Sequence, residues 1–186
     1  VTRTVAQALD DFIDHTMKSM SPQLTPWLPD WRSPCEYGDT IASASTEPSI
    51  MWRPVRRDDP DVLAPLEAAL EATIHPDLKQ YWGRYFAASL GAQAPQGPLS
   101  LLQLWNREDS QRLVENQIGH VVTQRRAKAP LSLFFACTED GSDYILTVDN
   151  TSGEVLLEAP GRKPLQVVAP NLAAFLDELT PRPSAT

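Results

Sequence analysis

The chain has 186 residues, 42% of them hydrophobic and 22% charged, enough to bury one sizeable core and short for two. Acids outnumber bases, 24 against 16, giving a formal charge of −8 and a pI near 4.8. Phosphate backbones and anionic headgroups are repelled by such a surface, so nucleic acid is excluded as the expected partner and a basic protein surface is favoured. The longest apolar run, "PLSLFFAC" at 130–137, is far shorter than a bilayer-spanning helix requires. No basic, apolar and cleavable leader opens the sequence.

The first predicted element is a helix. Thr4 and Gln7 form a capping box, and Val5, Ala8, Leu9, Phe12, Ile13 and Thr16 fall on one face, opposite an acidic one. From Ser21 to Pro60 prolines forbid regular helix and central strand, while Trp27, Leu28 and Trp31 predict wrapping onto a core; a short strand is expected at "SIMW". Asp61 is the expected cap of a second helix reaching about Thr73, with Val62, Leu66, Ala69, Leu70 and Thr73 inward. A turn at His75-Pro76 leads into a helical turn and an extended segment, and "LSLLQLW" after Gly97-Pro98 reads as a buried strand.

Residues 107–127 predict the longest helix, with Val114, Ile118, Val121, Val122 and the stem of Arg125 on its apolar stripe. His120 projects onto a flank, as a structural histidine would. Gly119 falls on the polar face with Glu115, and its cost of about 1 kcal/mol in a helix implies that another segment passes close. A neighbour from the same chain is expected ahead of a partner. Strands follow at 131–137, 143–149, 154–158 and 165–168, joined by turns short enough to require antiparallel hairpins. Asn171 caps a last helix with Leu172, Phe175, Leu176 and Leu179 inward. The expectation is one α+β domain over 1–180, an antiparallel sheet with helices over one face, and a frayed tail at 181–186.

His15, His75 and His120 lie on separate elements, and Cys35 and Cys137 lack metal spacing, so neither a metal nor another cofactor is implied. Two distant cysteines do not make a disulfide framework, and reduced thiols fit better. A hydrolase drawing Cys35 and His120 together is the enzymatic alternative, but Glu36 beside the thiol opposes its ionisation. Acid placement is more informative. Glu36, Asp39, Glu47, Asp58, Asp59, Asp61, Glu67 and Glu71 stand against Arg53, Arg56 and Arg57. Glu67 and Glu71 read as a like-charge pair at i and i+4 with no basic partner at helical spacing. Glu108 and Asp109 have a local purpose, since a helix N-terminus favours anions.

Several stretches carry a resemblance: "SPC" at 33–35, "LLQLW" at 101–105, "ENQIGHVVTQRRAKAPLSLFFA" at 115–136, "SGEV" at 152–155 and "NLAAFLDEL" at 171–179. Together they resemble the Syd family of the SUKH superfamily, which also includes Smi1/Knr4-like and immunity proteins. The resemblance implies a soluble α+β protein, peripheral on the cytoplasmic face of the bacterial inner membrane, and with the residues above the expectation is a monomeric, non-catalytic binder. The resemblance also implies an acidic groove that engages basic cytosolic loops of the SecY channel, with membrane contact only through SecY. Placement of acids nominates Glu36, Glu47, Asp58, Asp59, Asp61, Glu67, Glu71 and Glu115 for that groove. An immunity protein neutralising a basic toxin is the alternative within binding proteins.

Overall fold

The computed structural model describes residues 1–44 and 47–184. Helix α1 spans Val5–Met20, and Thr4 and Gln7 make the reciprocal capping box. Its six predicted inward residues are all buried. The proline-dense stretch folds into strands β1 (Gln23–Pro26), β2 (Glu36–Ile41) and β3 (Ser49–Trp52), a small antiparallel sheet in the order β1-β3-β2. Only β3 shows the buried alternation that predicts a strand. The strands β1 and β2 are largely exposed, so their residues carry no core pattern. Of the three wrapping residues, Trp31 packs against the core, while Leu28 stays exposed.

The pair β4 (Val55–Arg56) and β5 (Tyr85–Phe86) brackets helices α2 (Ala64–Leu70) and α3 (Pro76–Gly83). Helix α2 is shorter than expected: Asp61 makes no side-chain cap, Ala69 and Thr73 are exposed, and the chain leaves the helix at Glu71. Strands β6 (Leu90–Ala94) and β7 (Gly97–Leu101) form a hairpin. Helix α4 (Asp109–Arg126) follows, then β8 (Ser132–Thr138), β9 (Ile145–Asp149), β10 (Val155–Glu158) and β11 (Gln166–Ala169). Helix α5 (Leu172–Asp177), capped by Asn171 through the Ala174 N–H at 2.8 Å, leads to β12 (Thr180–Pro181). The main sheet is antiparallel throughout, in the order β11-β10-β9-β8-β7-β6-β12.

Two expectations are corrected here. The chain beyond Leu179 does not fray through 184. Thr180 and Pro181 pair with β6, Arg182 N–H donates to Gly91 O at 3.1 Å, and Ser184 Oγ accepts from Gly91 N–H at 3.1 Å. Helices also cover both sides of the sheet. Phe134 meets His120 of α4 edge-on, whereas its neighbour Phe135 meets Tyr81 of α3 and Phe175 of α5. Adjacent strand residues face opposite sides. The Phe135 contacts, also edge-to-face, anchor α3 and α5 to the core.

On α4 the buried stripe is Leu113, Gln117, Val121 and Gln124, rotated from the predicted one. Val114 and Ile118 are half-buried, and Val122 and Arg125 are exposed. The reason is polar satisfaction. Gln117 Nε2 donates to Phe134 O at 2.8 Å and its Oε1 accepts from Phe134 N–H at 3.3 Å, supplying the backbone of β8 with partners that a strand would otherwise provide.

Candidate partner-binding surface

The eight nominated acids separate into those held by local structure and those left open. Glu36 is a structural group: its side chain is 3% exposed and receives Arg32 Nε at 2.7 Å and Ser33 N–H at 3.2 Å. These bonds close the loop that delivers the chain into β2. Asp58 pairs with Arg56 at 3.2 Å and with Arg84. Asp59 pairs with Arg57 at 3.4 Å and accepts from Asp61 N–H at 3.0 Å. Both border an open cavity of about 480 Å³, but Lys79 and Arg84 line it too, so it holds charges of both signs.

Glu67 has no basic partner at helical spacing but finds one across the fold. Lys79 of α3 reaches it at 2.9 Å, and Ile74 N–H donates to the same carboxylate at 2.9 Å. The backbone bond first and the lysine second hold its pKa below the ordinary value. The partner lay twelve residues away on another helix, outside the spacing at which a helical pair is sought. Nor do Glu67 and Glu71 form a helical i,i+4 pair, because Glu71 ends α2 in the left-handed region, at φ +52°.

Four nominated acids are exposed and form no ion pair among the described residues: Glu47, Asp61, Glu71 and Glu115. Asp61 bonds through its backbone alone among the described residues, its carbonyl accepting from Ala64 N–H at 3.0 Å and its N–H donating to Asp59 Oδ1 at 3.0 Å. Glu115 accepts from Gln111 Nε2 at 3.1 Å, a neutral donor that leaves its charge in place. Helix α2, with Asp61 and Glu71 at its two ends, packs against α4, which carries Glu115. Glu47 is separate from them in the chain and follows residues 45–46, outside the described residues. Gly119 sits one turn from Glu115, and a Cβ built there meets nothing within 4 Å. The neighbouring segment expected from the same chain is therefore absent among the described residues, and the helix backbone is open at this point.

The sequence reading missed two polar networks because each joins elements distant in the chain. Asp10 accepts from Arg84 Nε at 2.9 Å and from Tyr85 OH at 2.8 Å. Burial works to raise its pKa, but the Arg84 and Tyr85 bonds together hold it below the ordinary value. Burial and the Asp10 contact push the Tyr85 hydroxyl up to about 12. The second network lies under α4, where buried Glu158 accepts from Ser132 Oγ at 2.8 Å and from Gln124 Nε2 at 3.3 Å. His120 Nε2 stands 3.7 Å from that carboxylate, and its ring meets Phe134 edge-on at 5.8 Å. Burial lowers the His120 pKa, with Glu158 opposing.

Cys35 is buried and forms no hydrogen bond to His120; its N–H donates to Ser33 Oγ at 3.0 Å. Burial above all, with Glu36 adding to it, pushes the thiol pKa up, against the thiolate that a nucleophile needs. Cys137 is likewise free and raised by burial. Among the described residues no cluster of His, Cys, Asp or Glu could hold a metal ion, and no helix is long and apolar enough to cross a membrane.

The fold defines an α+β protein built on a curled seven-stranded antiparallel sheet, with acids on the α2–α4 layer that have no ion pair among the described residues. Comparison with known proteins gives the family. The pattern of the family described as Syd protein (SUKH-2) matches residues 3–181. Protein Syd of Pseudoalteromonas atlantica is 40% identical over 185 residues, covering 97% of this chain and 98% of its own length. Protein Syd of Alteromonas mediterranea is 40% identical over 152 residues, 82% of this chain and 81% of its own length. Protein Syd of Shewanella sp. strain ANA-3 is 38% identical over 179 residues, 94% and 82% respectively. The chain belongs to the Syd family.

Proposed function

We propose that this protein is a non-catalytic binder of the SecY translocation channel, engaging basic cytosolic loops through acids on the α2–α4 layer and thereby monitoring or protecting the assembled complex. The observation that carries the reading is that Asp61, Glu71 and Glu115 are exposed and have no counter-ion among the described residues, Asp61 and Glu71 flanking a helix that packs against the one carrying Glu115, in a Syd-family chain. Cytoplasmic loops of membrane proteins are enriched in Lys and Arg, so an acidic surface can recognise them while anionic lipid repels it. On this reading the protein sits on the cytoplasmic face of the inner membrane, held there by SecY. Glu36, Asp58, Asp59 and Glu67 support the scaffold, and Glu47 is a flanking candidate. The expected ligand is a basic loop that passes over α4 near Gly119, where no side chain obstructs the backbone. Pull-down by detergent-solubilised SecY complex tests this: the parent protein is expected to be retained, and failure to be retained at low salt contradicts the proposal.

A further inference from the structure

The turn between α2 and α3 is pinned from two sides. On the α2 side, Glu71 N–H donates to Glu67 O, and the Glu67 carboxylate accepts from Ile74 N–H at 2.9 Å. On the other, Asn150 reaches in from the β9–β10 turn: its Nδ2 donates to Thr73 O at 2.9 Å and its Oδ1 accepts from His75 N–H at 2.8 Å. One side-chain amide thereby satisfies a carbonyl and an N–H two residues apart. Asn150 is itself fixed. Its N–H donates to Leu131 O at 3.0 Å, in the segment that joins α4 to β8, and Asp149 Oδ1 closes its turn by accepting from Thr151 and Ser152 N–H, both at 2.8 Å. Gly153, in the "SGEV" stretch, completes the contact. Its φ is +78°, and a Cβ there would lie 2.7 Å from His75 Nε2, so the imidazole rests on bare backbone. The same ring caps α3, its Nδ1 accepting from Asp77 N–H at 3.2 Å.

These bonds tie the 71–75 turn to the end of α4. The backbone on both sides of Glu71 is held, while its side chain is exposed and forms no ion pair among the described residues. Glu115 stands on α4 itself. A partner that needs both charges therefore does not have to order the turn when it binds, which removes an entropic cost from association. We infer that Asn150 is a positioning residue for partner binding: it presets the Glu71 carboxylate relative to Glu115, so that a basic loop meets two charges at a fixed spacing. The inference rests on the reading of Glu71 and Glu115 as partner-binding acids.

The test uses the full chain and two readouts. Backbone ¹⁵N relaxation reports on the turn with no partner present: in Asn150→Ala the order parameters of residues 71–74 are expected to fall from roughly 0.85 to below about 0.6, with those of α1 unchanged. Affinity for solubilised SecY complex at low salt supplies a double-mutant cycle. Asn150→Ala and Glu71→Gln are each expected to weaken binding at least about fivefold, and the two together to stay within about twofold of Glu71→Gln alone. A merely structural Asn150 would weaken binding by the same factor in both backgrounds. Asn150→Asp keeps the acceptor for His75 N–H but sets a second oxygen against Thr73 O; it is expected to act in the same direction and replaces the alanine variant if that one is unfolded. Unchanged order at 71–74, or losses that multiply across the two substitutions, would overturn the inference and leave the reading of Glu71 standing. A Glu71→Gln variant that binds as tightly as the parent would instead overturn that reading, and the inference with it.

Discussion

Glu67 and Glu71 are four residues apart, yet their environments assign them opposite roles. Glu67 joins α2 to α3 through Lys79 and accepts the Ile74 N–H, so Glu67→Gln is expected to lower stability by about 0.5–1.5 kcal/mol and leave partner binding unchanged, measured by urea denaturation and by affinity. Glu71 occupies a left-handed position that costs a side-chain-bearing residue about 1–2 kcal/mol and that glycine adopts freely. Glycine's larger entropy loss on folding offsets part of that gain. Glu71→Gly is therefore expected to keep or raise the melting temperature while weakening binding to basic loops. His120 gives a pH signature. Its folded pKa lies below the ordinary 6.5, so between those two values the unfolded chain binds more protons and stability rises with pH. The His120 contribution is complete above 6.5 and is lost as pH falls from there toward the folded pKa. Melting curves of His120→Gln are expected to show a weaker fall across that window than the parent's.

At the scale of elements, local chemistry sets the boundaries and contacts between elements set the faces. The capping box at Thr4 and the Asn171 cap were legible because each needs only residues within one turn. Asn171→Ala is expected to cost about 0.5–2 kcal/mol, read from denaturant midpoints, because Ala174 N–H loses its acceptor while α5 still has to carry Phe175 into the core. The stripe on α4 was legible only in outline. Hydrophobic periodicity favours Val114, Ile118 and Val122, but two glutamines take the buried side because β8 and Glu158 offer them hydrogen bonds. No pattern of apolar residues reports a side chain buried for its polarity. Strand β1 escaped because its half-buried positions are Gln23 and Thr25 and its exposed ones Leu24 and Pro26, the reverse of the apolar pattern, and β2 because four of its six residues are exposed. The Lys79 partner of Glu67 was hidden because the turn at 71–75 brings α3 back beside α2, a tertiary fact that helical spacing does not contain.

At the scale of the whole molecule, a formal charge of −8 is distributed unevenly in its consequences. Acids such as Glu36, Asp10 and Asp58 are neutralised within the fold, while Asp61, Glu71 and Glu115 keep their charge on packed helices facing solvent. The family and the α+β class were legible from motifs spread along the chain, whereas the division of acids into structural and open ones required their partners. The most direct measurement compares the affinity of solubilised SecY complex for the parent and for Glu71→Lys/Glu115→Lys, at about 50 mM and about 500 mM salt, with circular dichroism confirming that both are folded. Surface charges are screened with a Debye length that falls from roughly 14 Å to roughly 4 Å over this range. The account predicts at least a tenfold loss for the double reversal at low salt, about 1.4 kcal/mol, and a smaller difference between the two proteins at high salt. A folded double variant that binds as tightly as the parent at low salt would contradict it.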